Sequence, residues 1–142
     1  YGQEDAERVG RHRRMREGKG FVTIEKPTDI GGFAPESSAT VLLECLSNLL
    51  ANEMFSESGF CAGAEEKILG ETEALSKKCQ NLIIVSADVF RDGKEYEKPT
   101  EEYISSLGKL NRVLTRRADV VIEAAAGIPI FLKGKGVYEK LF

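Results

Sequence analysis

Apolar positions along the chain follow two rhythms. Thr40 to Cys45 and Asn81 to Val89 are short, nearly continuous apolar runs with polar residues at their ends, the pattern of strands buried on both faces of a parallel sheet. Elsewhere the spacing is helical. Ser47 to Phe55 and about Ala64 to Cys79 read as helices, the second with Ile68, Leu75 and Cys79 on its apolar side. Pro99 suits the first turn of a long helix ending at Arg117, with Tyr103, Leu107, Leu110 and Leu114 as its inner face. Asp119 to Ala125 and Ile128 to Lys133 flank Gly127 and pair as a closing hairpin. Near the start, Gln3 to Met15 reads as a helix, with acids early and arginines late, stopped by Gly18 and Gly20. Phe21 to Ile24 is a short strand ended by Pro27, and Arg91 to Lys94 is a loop. Alternating strands and helices predict one α/β domain over residues 1–142 with a mainly parallel sheet.

Composition adds limits. With 42% hydrophobic and 30% charged residues the chain is an ordinary globular one. A net charge of -3 argues against a general nucleic-acid binder. The positive charge is concentrated, however, in Arg8, Arg11, Arg13, Arg14, Arg16 and Lys19. No apolar run is long enough to span a bilayer, so no membrane partner is expected. Cys45, Cys61 and Cys79 lie far apart without a C-x-x-C pair, which suits reduced thiols and a cytoplasmic location.

Three places carry candidate chemistry. His12, the only histidine, stands among arginines in the segment from Arg8 to Arg14. Neighbouring guanidinium groups favour the neutral, nucleophilic imidazole and can pair with polyphosphate oxygens. That combination suits attack on phosphorus with a phosphoramidate intermediate; a solvated basic helix face with an incidental histidine is the plainer reading. Glu44 ends a buried-type strand, where phosphate-handling enzymes place an acid near Mg²⁺, although acids also end strands by chance. Glu25 follows the Phe21 to Ile24 strand, and a carboxylate can accept both N1–H and N2–H₂ of guanine. By pattern alone it is a solvent-facing acid.

Taken together and in order, these segments resemble the bifunctional adenosylcobinamide kinase/adenosylcobinamide-phosphate guanylyltransferase family. The resemblance lies in Arg8-x-x-x-His12-Arg13, Phe21-x-Thr23-x-Glu25-x-Pro27, Leu42-Leu43-Glu44-Cys45 with Asn52 and Phe55, Val85 to Val89, Gly108-x-x-Asn111, Ala118-Asp119 and Gly127-Ile128-Pro129-x-x-x-Lys133. It implies a RecA-like P-loop fold, a homotrimer, and His12 as the guanylylated residue. It further implies that Arg13, Arg14, Met15 and Arg16 line bound GTP, that Glu25 and Glu44 contact nucleotide, and that Glu44 approaches Mg²⁺. The implied partners are GTP, with ATP or GTP for the kinase step, and adenosylcobinamide or its phosphate. Two departures stand out. The family's opening strand, G-G-x-x-S-G-K-S loop, helix and second strand have no counterpart, so the expectation is an N-terminally incomplete domain with unpaired strand edges and without kinase activity. Ala87-Asp88 replaces the family's Asn-Glu. These departures keep open an alternative, a non-catalytic scaffold remnant of the enzyme.

Overall fold

The computed structural model describes residues 10–11, 14–56, 59–88 and 96–141. His12, Arg13, Arg8, Val89 and the Arg91 to Lys94 loop lie outside the described residues. Residues 10, 11 and 14–16 are helical, in keeping with the expected N-terminal helix. Phe21 to Ile24 is not the expected strand: it has no regular structure, and Val22 is 87% exposed. Its residue types favour a strand, but a strand needs a partner, and among the described residues none hydrogen-bonds to it.

Strand β1 (Thr40–Glu44) pairs in parallel with β4 (Asn81–Val85), Glu44 standing beside Val85. Between them the chain forms helix α1 (Leu46–Met54), a tiny antiparallel hairpin of β2 (Phe55–Ser56) and β3 (Gly59–Phe60), and helix α2 (Ala64–Ser76). Helix α3 (Lys98–Arg117) follows, with proline in its first turn as expected and Arg116 and Arg117 in its last. Strands β5 (Val121–Ala125) and β6 (Ile128–Lys133) pair antiparallel, and helix α4 (Lys135–Leu141), absent from the periodicity, closes the described chain. No helix among the described residues is long and apolar enough to cross a membrane.

The helical rhythm translates directly into packing. Leu46, Leu50, Ile68, Leu107 and Leu110 are fully buried and hold α1, α2 and α3 together over one face of the β1–β4 pair. Each fully buried side chain of this size stabilises by about 1.5–3 kcal/mol. Polar contacts fix how α2 and α3 lie. Glu65 accepts from Ser106 at 3.3 Å and Lys109 at 3.1 Å, while Arg117 meets Glu73 at 3.3 Å. Eight residues further along one helix meet eight residues further along the other, so the two run parallel. Burial pushes the Glu65 carboxyl up, but its backbone hydrogen bond, Lys109 and Ser106 outweigh it and hold it below the usual value.

Two expectations need correction. First, β1 and β4 are not buried on both faces. Val41, Leu43, Leu82 and Ile84 pack on the core, whereas Leu42, Ile83 and Val85 are 37%, 50% and 41% exposed. An apolar run marks residues that avoid water, but whether both faces are covered depends on elements from elsewhere in the chain. Second, while the expected closing hairpin is present, the expected parallel sheet is smaller than the sequence suggests. Among the described residues it is a two-stranded parallel pair, and β5–β6 forms a sheet of its own. Among the described residues β1 and β4 hydrogen-bond only to each other.

The β5–β6 turn is local chemistry. Ala126 and Gly127 have φ of 50° and 80°, the paired positive values of a tight hairpin turn that matches strand twist. A two-stranded hairpin alone is marginal in water, and here it is anchored twice. Phe131 packs on Tyr138 of α4 with ring centroids 5.0 Å apart. The Lys133 ammonium donates to the carbonyls of Thr115, Arg116 and Ala118 at the end of α3, groups that helix geometry leaves without partners.

Candidate functional site

Parallel strands deliver their following loops to one edge, and ligands in such sheets bind beyond the carboxyl ends. Because Glu44 and Val85 are in register, Cys45 and the segment 86–88 emerge side by side. Neither is loose. Ser47 lies 3.1 Å from the Cys45 thiol, and its carbonyl accepts the Tyr103 hydroxyl at 3.2 Å. Burial pushes the Tyr103 hydroxyl above its ordinary value, which keeps it a neutral donor. After β4, Ser86 donates to the Asn111 side-chain oxygen at 2.7 Å, and the Asn111 amide donates to the Ala87 carbonyl at 3.2 Å. Both ends of one α3 side chain thus hold the turn beside Glu44.

The N-terminal segment reaches this edge through one arginine. Arg16 donates through Nη2 to Glu44 Oε2 at 2.9 Å and through Nη1 to Thr23 Oγ at 3.3 Å. Three segments separated in sequence therefore meet at one guanidinium. Arg16 and Glu44 are 27% and 29% exposed, so the pair contributes under about 1 kcal/mol to folding and remains reachable by a ligand. Beside it, Arg14, Arg16, Glu17, Gly18, Gly20, Phe21 and Thr23 line an open cleft of about 480 Å³. Gly18 and Gly20, with φ of 72° and 75°, turn the chain from the helix into the cleft wall.

Of the residues expected to act, Arg14 and Arg16 line this cleft and Glu44 is joined to it. Met15 is 60% exposed and is not a lining residue. Glu25 is exposed two residues beyond Thr23, outside the lining set. His12 and Arg13 fall outside the described residues. Among the described residues no three cysteine, aspartate or glutamate side chains form a metal-holding group. Glu44 is a single carboxylate at the strand end, compatible with Mg²⁺ only if phosphate oxygens and water complete the shell. All three cysteines are free thiols.

The loop following Glu25 is also held. Asn52, at the end of α1, donates to the Pro27 carbonyl at 3.1 Å, and Glu53 accepts the Asp29 N–H at 2.7 Å. Lys67 of α2 grips both Glu53 oxygens at 2.8 Å. This hydrogen bond, with the nearby Glu71, Glu53 and Asp29 charges and against a small burial cost, raises the Lys67 pKa. Sequence reasoning assigned no role to Glu53 and none to Asn111 beyond its place in the Gly108-x-x-Asn111 block of the family resemblance.

A family model described as cobinamide kinase / cobinamide phosphate guanyltransferase matches residues 2–132. The chain belongs to this family. Membership makes it a transferase family member of cobalamin biosynthesis, a family that handles a nucleotide and a cobinamide substrate. No individual curated protein matches the chain. The mixed α/β architecture, with its small parallel sheet and flanking helices, fits such a fold.

Proposed function

We propose that the chain transfers GMP from GTP, through a guanylyl adduct on His12, to adenosylcobinamide-phosphate. The observation that supports this is the Arg16 bridge, which joins Glu44 and Thr23 beside the cleft that Arg14 and Phe21 line, Arg14 and Arg16 following closely on His12 in sequence. In the first step a neutral ring nitrogen of His12 attacks the α-phosphorus. The bond to the bridging oxygen breaks and pyrophosphate leaves. In the second, an oxygen of the acceptor's phosphate attacks the same phosphorus, the P–N bond breaks and the imidazole is restored.

Each neighbouring group has a chemical task in this reading. Arg14 and Arg16 offset the charge that accumulates on phosphate oxygens. Phe21, 53% exposed, offers a flat face for the base. Glu25 accepts the N1–H and N2–H₂ edge of guanine. Mg²⁺ held at Glu44 supplies charge neutralisation on the phosphates. The paired adenosylcobinamide kinase activity, with ATP or GTP, is assigned to the enzyme in which a phosphate-cradling glycine loop accompanies these residues. The same reading takes β1 and β4 as part of a RecA-like P-loop sheet and the active form as a cytoplasmic homotrimer.

Intact mass spectrometry before and after incubation with Mg-GTP tests the proposal. The expected result is one GMP-sized increment, acid-labile as a phosphoramidate is, and lost in His12→Ala. No increment, or one that survives His12→Ala, overturns it.

A further inference from the structure

Asn52 and Glu53 are adjacent at the end of α1, yet each takes hold of a different backbone group in the loop between Glu25 and β1. The Asn52 amide binds the Pro27 carbonyl at 3.1 Å, and the Glu53 carboxylate binds the Asp29 N–H at 2.7 Å. Glu53 is held in turn, its side chain only 9% exposed and both oxygens 2.8 Å from Lys67. Asp29 has a φ of 56°, a left-handed conformation a non-glycine residue keeps only when its surroundings enforce it.

The rest of the loop follows from this grip. Ile30 is buried, and Lys78 donates to the Gly31 carbonyl at 3.0 Å. At Gly31 a Cβ would lie 2.9 Å from Glu71 Cγ, so the loop presses against α2 with no room for a side chain. Two residues upstream of Pro27 stands Glu25. With the proline restricting its own backbone and that of the residue before it, anchoring Pro27 and Asp29 limits where the Glu25 carboxylate can go.

We propose that Asn52 and Glu53 are positioning residues for guanine recognition: they clamp the Pro27 to Asp29 backbone and thereby aim Glu25 at the base. The inference rests on the guanylyl-transfer reading above. It adds that selectivity is set from α1, by two side chains that touch no substrate. A carboxylate that must meet both N1–H and the exocyclic amine tolerates little displacement, because hydrogen bonds weaken steeply with misalignment.

The test compares GTP with inosine triphosphate, which keeps N1–H and lacks the exocyclic amine. Rates of adduct formation on the full chain are measured for wild type, Asn52→Leu and Glu53→Met, neither replacement keeping the clamping group. Asn52 is exposed, so its replacement leaves the core untouched. Wild type is expected to prefer GTP by roughly tenfold or more, the size of one charge-assisted hydrogen bond. Both variants are expected to lose most of that preference while their unfolding temperatures stay within a few degrees of wild type. Amide exchange at Asp29 is expected to accelerate in Glu53→Met, which removes the acceptor of its N–H. A wild-type adduct with an unchanged GTP preference in both variants overturns the inference and leaves the functional reading standing. Absence of any adduct in wild type overturns the functional reading, and the inference falls with it.

Discussion

Lys133→Met removes one ammonium while keeping the length and apolar stem of the side chain. In the native fold that ammonium serves the carbonyls of Thr115, Arg116 and Ala118, and so ties β6 to the end of α3. Two effects are lost together. A cation at a helix C-terminus is worth about 0.3–1 kcal/mol at an exposed site. A hydrogen bond to a charged group adds about 1.5–3 kcal/mol when buried, much less here because water can replace the donor. The expected destabilisation is therefore about 1–1.5 kcal/mol, or roughly 3–5 °C in Tm for a chain of this length. Lys135 provides the control. It is 67% exposed and among the described residues pairs only with Glu139, at 3.9 Å, so Lys135→Met is expected to change stability by less than about 0.5 kcal/mol. Urea unfolding of the two variants beside wild type, at low and high salt, measures both numbers. A Lys133→Met loss no larger than that of Lys135→Met refutes the helix-end role, and loss of the difference at high salt assigns it to charge rather than to hydrogen bonding.

Two further substitutions probe the same fold. Glu71 lies beside Gly31 with its Oε2 buried and, among the described residues, without a hydrogen-bond partner. Its carboxyl is pushed up chiefly by burial and by the neighbouring Glu53 and Asp29, against Lys67. A raised carboxyl favours the fold fully below its unfolded pKa and loses that contribution as pH rises through the folded value. Glu71→Gln is thus expected to be more stable than wild type at pH 7, with the gap closing towards pH 4; thermal melts across that range decide, and a less stable variant at pH 7 counts against the reasoning. Gly134 has a φ of 72°, and a Cβ there would lie 2.0 Å from the Asp119 carbonyl oxygen. Gly134→Ala is expected to cost about 2 kcal/mol or more in urea unfolding, and a loss below about 0.5 kcal/mol shows that the Asp119 to Gly134 contact yields easily.

What the chain's sequence determined by itself was local. The spacing of Tyr103, Leu107, Leu110 and Leu114 marked α3 and its buried face, Pro99 marked its start, and Gly127 marked the β5–β6 turn. These features depend on residues a few positions apart, where helix and turn geometry leave few choices. Ordered motifs also carried the family, because they record residue types whatever their contacts. The tertiary structure alone decided the rest. Phe21 to Ile24 has strand-forming residues but no partner strand among the described residues, and Leu42 and Ile83 belong to apolar runs whose outer face is exposed there. Arg16 meeting Glu44 across 28 positions, Lys133 closing α3, and Asn52 with Glu53 gripping a loop 25 residues upstream are pairings of ordinary polar residues. Nothing in a residue's type says which distant backbone group it will satisfy. That is settled only when packing brings the segments together and leaves a carbonyl or an N–H in need of a partner.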